Sequence, residues 1–486
     1  MFFKLLNIIN SYVKAFADDF RVKRKTSLPF SHSNTSSISR LSFQSNHRVA
    51  FAEEVAFISP DTNDPLLPEM METWYEAAPK IGTEWGLNIL QLCESSPNPI
   101  LGVGYTLLRH ELALCGCEDS ILINFLQRIE SLYVCNPYHN SMHGAMVAHQ
   151  TACLLRFLDI KQELDSLGLS SIYVATLCHD LGHPGRTNAF FINSYQPMAL
   201  LYNDISILEN YHACLTFTTL RMSNCNIFKS IDTNEFDVIR RNIIEMILCT
   251  DMKQHFDTIS RFRIRRASPE FDFHNKADDQ WLVIKMCIKC ADIGHGSIEW
   301  ATHYQWSCRI IEEFYLQGDE ETRLKVAISP LCNRDCHGDM AKSQKGYLEY
   351  VVLPLVKELC LIELEAAFLG NQILKSIDEN VSLWEKLHQE NKIIKFSDEI
   401  LKYEDTLKYP SRKYATFQFA STLSAIAEID EKAHHELNPY PTNGDQNPVS
   451  EGDPIALPLK PLGKVTAPER RKFNNWASFR DGKFKS

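Results

Sequence analysis

The sequence predicts an all-α fold, a single compact multi-helix domain flanked by flexible tails, and three observations predict it. From about residue 70 to about residue 405, apolar residues recur at three- and four-residue spacing, the period of helices with one face in a core. Few stretches alternate with period two over any length, so half-buried strands have little support. Of the 486 residues, 44% are hydrophobic and 23% charged, enough for one large core or two or three ordinary ones and too apolar for a chain disordered throughout.

Residues 1–17 (MFFKLLNIINSYVKAFA) are amphipathic, with Phe2, Leu5, Leu6, Ile9, Val13 and Phe16 near one helical face and Lys4 and Lys14 elsewhere. Two readings stay open, a short helix docked on the core and an interfacial membrane helix. The segment has neither the uninterrupted apolar centre nor the small-residue cleavage site of a secretory signal. Phe2 excludes N-myristoylation. Residues 18–70 read as a basic, Ser-rich and mostly disordered linker, and Arg24-Lys25-Thr26-Ser27 within it suits a basophilic kinase. The body spans 71–405. Its segment 121–134 puts Leu122, Phe125, Leu126, Ile129, Leu132 and Tyr133 on one stripe, and 239–249, 281–291 and 350–368 read the same way. Polar loops are expected near 258–279 and 331–342. Residues 406–486 form a C-terminal extension, irregular over the Pro-, Asn- and Gly-rich 436–468 and basic at the end.

The net charge is −11, unevenly placed. Residues 1–48 hold eight basic and two acidic residues and residues 456–486 again eight and two, leaving 34 basic against 57 acidic between them. An acidic body argues against nucleic-acid binding, which needs clustered Lys and Arg on phosphates. The basic residues 1–48 are the expected place for peripheral contact with an anionic membrane. Fifteen Cys, an odd number without small-domain spacing, read as reduced thiols of a cytoplasmic protein. No apolar run reaches the roughly 18–20 residues of a spanning helix.

Chemistry concentrates in three places. In YHNSMHGA, His139 and His143 are four apart, so on a helix they share a face; in CHDLGHPGRTN, His179 and Asp180 are adjacent and His183 follows one turn on; in KCADIGH, Asp292 closes an apolar helical run. Imidazole and carboxylate suit Zn and other divalent ions, and a set without Cys suits a catalytic centre with positions open to water. One such histidine alone would read as a hydrogen-bonded core residue; the repeated pairing with a framed aspartate makes the metal reading. His149, His212, His255 and His337 have no such frame and default to structural or surface roles. Gly102-Val103-Gly104 is a lone GxG and is discounted.

Together with LYNDISILENYHA, CTDMKQH, EEFYLQGDEE, ISPLCNR and KSQKGYLEY, these segments resemble, in order and spacing over roughly residues 75–405, the blocks of the class I 3′,5′-cyclic-nucleotide phosphodiesterase catalytic domain, with wording closest to the high-affinity, cAMP-selective branches. The resemblance implies a helical catalytic domain with an HD-type site. His143, His179, Asp180 and Asp292 would hold a tight ion, normally zinc, and Asp180 would bridge to a second, normally Mg or Mn. His183 matches a position behind the ligands, His139 the general acid, and Glu209 and Glu313 acidic residues near the metal waters or that histidine. The implied reaction is attack of an ion-activated water on phosphorus in line with O3′, with His139 protonating the leaving oxygen.

For the base, Gln344 matches the family's glutamine, Tyr347 and Ile310 the two jaws of a clamp, and Tyr138, Met252 and Trp306 other pocket positions. Three residues depart from the common pattern: Gly182 stands where an Asp is usual, Tyr347 where a Phe is, and His295 where cAMP-selective branches carry Asn. The block wording favours cAMP, while His295, which also occurs in dual-specificity relatives, weighs against it, so dual cAMP/cGMP specificity is the alternative and cGMP third. Other readings are a different HD-type phosphohydrolase, which would not need the base-pocket residues, and a catalytically silent cyclic-nucleotide-binding scaffold, which would not need His139. Family members often dimerise, so a homodimer is a further expectation.

Overall fold

The computed structural model describes residues 67–335, 340–363 and 367–390, with side chains from residue 72 onward. The amphipathic start, Ser27, residues 391–405 of the expected body, His337 and the C-terminal extension lie outside these residues. Those described fold into sixteen α-helices and no strand, and no helix among them is long and apolar enough to cross a membrane.

The first four helices are α1 (Leu67–Ala77), α2 (Ile89–Ser95), α3 (Pro99–Leu114) and α4 (Asp119–Leu132). α1 begins inside the stretch expected to be linker. α5 (Ser141–Phe157) and α6 (Ser166–Cys178) form the centre: α5 packs on α3, α6 and later α12, while α6 packs on α3 and α10. Every residue of α6 from Leu169 to Cys178 is buried, so it is a helix with no solvent face. The short α7 (Asn188–Asn193) and α8 (Pro197–Leu201) lead to α9 (Ile207–Leu220), α10 (Thr233–Leu248), α11 (His255–Arg266) and α12 (Ala277–Asp292). The long α13 (Trp300–Leu324) is followed by α14 (Met340–Tyr347) and α15 (Leu353–Cys360), joined through a π-helical turn, Leu348–Val352. The widened turn precedes Pro354, which has no N–H and whose ring crowds the preceding turn of an ordinary α-helix. α16 (Lys375–Gln389) packs against α13 and α14.

Several sequence expectations change. Residues 255–266 are helical, so the loop expected at 258–279 is confined to the stretch between α11 and α12. Met340–Tyr347 is likewise helix, which shortens the second expected loop. α4 ends at Leu132, and Tyr133 turns extended (φ −68°, ψ 134°), leaving the predicted stripe; its hydroxyl donates to the Leu177 carbonyl at 2.8 Å. Within the apolar run 350–368, α15 ends at Cys360 and helix resumes at Phe368. His139 and His143 do not share a helix face, because Asn140 caps α5 with its side chain accepting from the N–H groups of Met142 and His143. His183 is not one helical turn beyond His179 either: α6 stops at Cys178, and Gly182 takes φ +73° in the turn that follows.

Candidate active site

Three helix ends bring four donors together. His143 lies in the first turn of α5, His179 caps the end of α6 with Asp180 next to it, and Asp292 is the last residue of α12. Both histidines are fully buried. His143 Nε2 lies 3.4 Å from Asp180 Oδ2 and 3.2 Å from Asp292 Oδ1; His179 Nε2 lies 3.3 Å from each.

The ring of His179 is oriented by its Nδ1, which donates to the Thr176 carbonyl at 2.8 Å. A neutral imidazole so held turns a lone pair at Nε2 toward two carboxylate oxygens, and neither His179 Nε2 nor Asp180 Oδ2 has a hydrogen-bond partner. Such an arrangement requires positive charge at its centre. Ligands held at about 2.1 Å around one ion are separated by about 3.0–3.4 Å at octahedral or tetrahedral angles, which the observed spacings match. The donor set therefore fits a divalent cation. In the absence of an ion a proton takes that role: burial pushes His179 down, but Asp180 and Asp292 prevail and hold it well above the ordinary imidazole value.

The second oxygen of Asp180 faces another group. His212 Nε2 lies 3.7 Å from Asp180 Oδ1, and Asp180, His183 and His212 form a second donor cluster. His212 donates from Nδ1 to the Leu181 carbonyl at 2.7 Å. Burial takes its pKa down to about 4, so its Nε2 is a free acceptor. His183 Nδ1 accepts from the Gly185 N–H at 3.0 Å, and burial with the neighbouring His139 holds the ring neutral, leaving Nε2 as a donor. Glu209 is fastened by Asn188 Nδ2 at 3.0 and 3.2 Å. Burial and the Asp251 carboxylate push it up to about 8, again the mark of a pocket short of positive charge. The turn that feeds α9 carries left-handed Asn203, Asp204 and Ser206, and Ser206 Oγ donates to Asp251 at 2.8 Å. Backbone strain of this kind persists where surroundings fix it.

His139 stands beside these clusters. Glu313, on α13, accepts from the N–H groups of Tyr138 and His139 with one oxygen, both at 3.0 Å, and meets His139 Nδ1 with the other. Burial alone pushes the imidazole down; Glu313 overcomes it and the pKa rises to about 9. The His139 ring stacks on His183 at 4.0 Å between centroids. Asn136 ties the two loops, its Nδ2 donating to the carbonyls of His139 at 2.8 Å and His183 at 2.6 Å.

Of the expected base-pocket residues, Tyr138 and Trp306 meet the ring of His143 in the four-donor cluster. Tyr138 makes ring contacts with His143, His295 and Trp306 at 4.6, 5.6 and 5.5 Å, and His295 lies nearly parallel to Tyr347 at 6.1 Å. Gln344, one turn before Tyr347 on α14, is buried, and its Oε1 has no hydrogen-bond partner. Ile310 is half-buried one turn beyond Trp306 on α13. Met252 is the most open of the set, 41% exposed in the turn after Asp251.

Sequence reasoning missed His212, assigned a structural default, and Asn136, Asn188, Asp251, His303 and Trp384. His303 donates from Nδ1 to the His295 carbonyl at 2.9 Å and accepts at Nε2 from Trp384 at 2.8 Å. Asn380 Nδ2 donates to the carbonyls of Gly296 and Ile298. α16 thus braces the turn after Asp292. His149 does act structurally, accepting from the Gly82 N–H at 2.9 Å.

Fold and site together define a helical domain with an HD-type candidate metal centre. Residues 138–373 match the family described as 3′5′-cyclic nucleotide phosphodiesterase. The chain is 41% identical over 322 residues to the dual 3′,5′-cyclic-AMP and -GMP phosphodiesterase beta of Plasmodium falciparum, covering 66% of this chain and 28% of that protein. It is 38% identical over 336 residues to the cGMP-specific phosphodiesterase alpha of the same organism, covering 66% and 34%, and 31% identical over 328 residues to the high affinity cAMP-specific and IBMX-insensitive phosphodiesterase 8A of Mus musculus, covering 63% and 39%. The chain therefore spans well under half the length of these relatives. Its structure is similar to the phosphodiesterase domain of the RhoPDE fusion protein from Salpingoeca rosetta, with a TM-score of 0.60, 28% identity, and coverage of 65% of this chain and 98% of that domain. Residues 138–373 thus form a class I 3′,5′-cyclic-nucleotide phosphodiesterase catalytic segment. α1–α4 and α16 lie outside the matched segment.

Proposed function

We propose that this protein hydrolyses 3′,5′-cyclic nucleotides to 5′-monophosphates. The observation that carries the reading is the grip of Glu313 on His139 beside four donors that fit a divalent cation. His143, His179, Asp180 and Asp292 would hold the tight ion, zinc in this proposal. Asp180 would share its other oxygen with a second, Mg or Mn, near His183, His212 and Glu209. Such ions lower the pKa of water and neutralise phosphate oxygens. His139, protonated through Glu313, delivers its proton to O3′ as the P–O3′ bond breaks, so the leaving group departs as a hydroxyl. The proton released by the attacking water restores the balance through solvent. His183, stacked on His139 and tied through Asn136, keeps the donor ring in place.

The wording of the motif blocks favours cAMP. The surroundings of Gln344 support the dual reading instead. Its buried Oε1 has no hydrogen-bond partner, so no neighbour fixes which end of the amide the oxygen occupies. An amide free to turn offers donor and acceptor in either order to adenine or guanine. The 41% identical relative is itself named a dual cAMP and cGMP phosphodiesterase. The deciding experiment measures 5′-AMP and 5′-GMP formed from each cyclic nucleotide, with chelator and after metal is restored. Absence of turnover with metal restored would overturn the enzyme reading, and turnover of one nucleotide alone the dual reading.

Peripheral membrane contact through residues 1–48 is proposed from their charge alone. Sedimentation with anionic liposomes, full chain against a chain lacking 1–48, tests it, and equal binding rejects it. Light scattering decides whether the protein is a homodimer.

A further inference from the structure

Lys289 carries a charge that the proposed reaction does not use. It lies one turn before Asp292 on α12 and is only 2% exposed. Its Nζ donates to the Cys249 carbonyl at 3.0 Å. Cys249 caps the end of α10, so the ammonium stands where two helices end and their carbonyl dipoles converge. One of those helices ends in Asp292 and the other runs directly into Asp251 and Met252.

Burial works against this charge and draws the pKa of Lys289 down, while the Cys249 thiol and the carboxylates of Asp292, Asp251 and Glu209 work to keep it. Asp292 belongs to the four-donor cluster, and Asp251 and Glu209 adjoin the second group. The hydrogen-bond partner of Nζ is a neutral carbonyl, and a buried ammonium is costly to desolvate. A methionine would fill similar volume without that cost. The charge therefore calls for a role that packing does not supply, and the nearby excess of carboxylates provides one.

We propose that Lys289 is a resident cation of the site, a positioning residue that offsets one unit of its carboxylate charge and so weakens its hold on divalent ions, the second ion most. The proposal rests on the two-ion reading above. A monocation fixed to the backbone cannot exchange, so it keeps the α10 exit and its Asp251 in register whether or not ions are bound. It also opposes added positive charge, because like charges repel through a poorly screening interior.

The test is Mn²⁺ binding to the full chain, followed by electron paramagnetic resonance, in the parent, Lys289→Met and Lys289→Gln. Gln removes the charge and keeps an N–H donor, one bond shorter, on the side facing the Cys249 carbonyl. Both variants are expected to bind the weaker Mn²⁺ about tenfold more tightly than the parent at the same stoichiometry. Unchanged or weaker binding in a folded variant, accompanied by a lower melting temperature, would make Lys289 a structural tie and overturn the proposal. If Lys289→Met does not fold, Lys289→Gln decides. A parent that binds no Mn²⁺ would instead overturn the two-ion reading itself, a result distinct from parent binding that the variants fail to tighten.

Discussion

Glu313 reaches 174 residues back along the chain to hold His139 at three points, its ring Nδ1, its own N–H and the N–H of Tyr138. The grip settles both where the imidazole points and how strongly it keeps a proton. Burial pushes the ring toward neutrality, and the carboxylate reverses this to a pKa of about 9, itself falling to about 2. Nδ1–H pointing at the carboxylate leaves Nε2–H as the proton that the proposed reaction would use.

The first prediction concerns that proton. A general acid works only while protonated, so kcat should fall as pH rises through the His139 pKa. Bound divalent ions act in the same direction as burial and place this limb below about 9. Glu313→Gln removes the raising charge and leaves the burial. The alkaline limb should move down by at least one unit, and above the new limb kcat should fall about tenfold for each further pH unit. A kcat–pH profile with an unmoved limb would remove Glu313 from this role. His139→Ala should lower kcat by about 10²–10⁴-fold with metal content unchanged, checked by elemental analysis of the same sample.

The second prediction concerns the ions. An imidazole lone pair facing two carboxylates is stabilised by a cation, so chelation should abolish turnover and lower the melting temperature together. At 100-fold excess over its dissociation constant an ion adds about 2.7 kcal/mol to folding. For a domain of this size that corresponds to about 4 °C. Asp292→Asn removes one charged ligand and should lose most of both effects. Calorimetry with and without chelator checks this, and equal melting temperatures would mean that the four donors hold no ion.

Much of this site was legible in the sequence, because the side chains that meet the proposed ions come in short, ordered blocks. What sequence did not disclose is how those blocks are held. Asn136, His303 and Trp384 act through carbonyls or rings brought near only by folding, and nothing in local spacing marks them. His212 lacked a neighbouring aspartate in sequence but found Asp180 in space. The same limit applied to secondary structure. α11 buries only His255, Ile259 and Phe262, a helical spacing hidden among Arg261, Arg263, Arg265 and Arg266, which made the segment read as a polar loop. The His139–His143 spacing suggested one helix face, yet the Asn140 cap separates them.

The third prediction concerns Gly182, which stands where the family pattern has Asp. Its φ of +73° is left-handed, and a Cβ there would lie 2.5 Å from Leu215 Cδ1 and 3.2 Å from Tyr211 Cε1. Gly182→Ala should cost about 1–2 kcal/mol for the backbone conformation, plus whatever displacement of Leu215 adds. Denaturant unfolding should show the loss, while metal content stays unchanged because Asp180 and His179 precede the turn. Full stability would mean that the turn relaxes without penalty.

The last prediction concerns the choice of base. The N–H of Trp384 occupies His303 Nε2, which puts the His303 proton on Nδ1, where it is given to the His295 carbonyl. Gln344 Oε1 is for its part without a partner. In this state the amide can present its acceptor and donor in either order, and the kcat/KM values for cAMP and cGMP should lie within about tenfold of each other, since neither base leaves a buried polar group unpaired. Trp384→Phe deletes the donor that holds His303, which in turn holds the His295 carbonyl, and the His295 ring faces Tyr347. Loosening that side of the pocket should move the ratio of the two kcat/KM values from the parent value by about 3–10-fold, while kcat for the better substrate changes little. Gln344→Ala removes the amide altogether and should lower kcat/KM for both nucleotides, by about tenfold for each lost hydrogen bond. Steady-state kinetics on both substrates separates the cases: a parent selective by a thousandfold, or a Trp384→Phe variant with the parent's ratio, would show that base choice is set elsewhere than in the chain from Trp384 through His303.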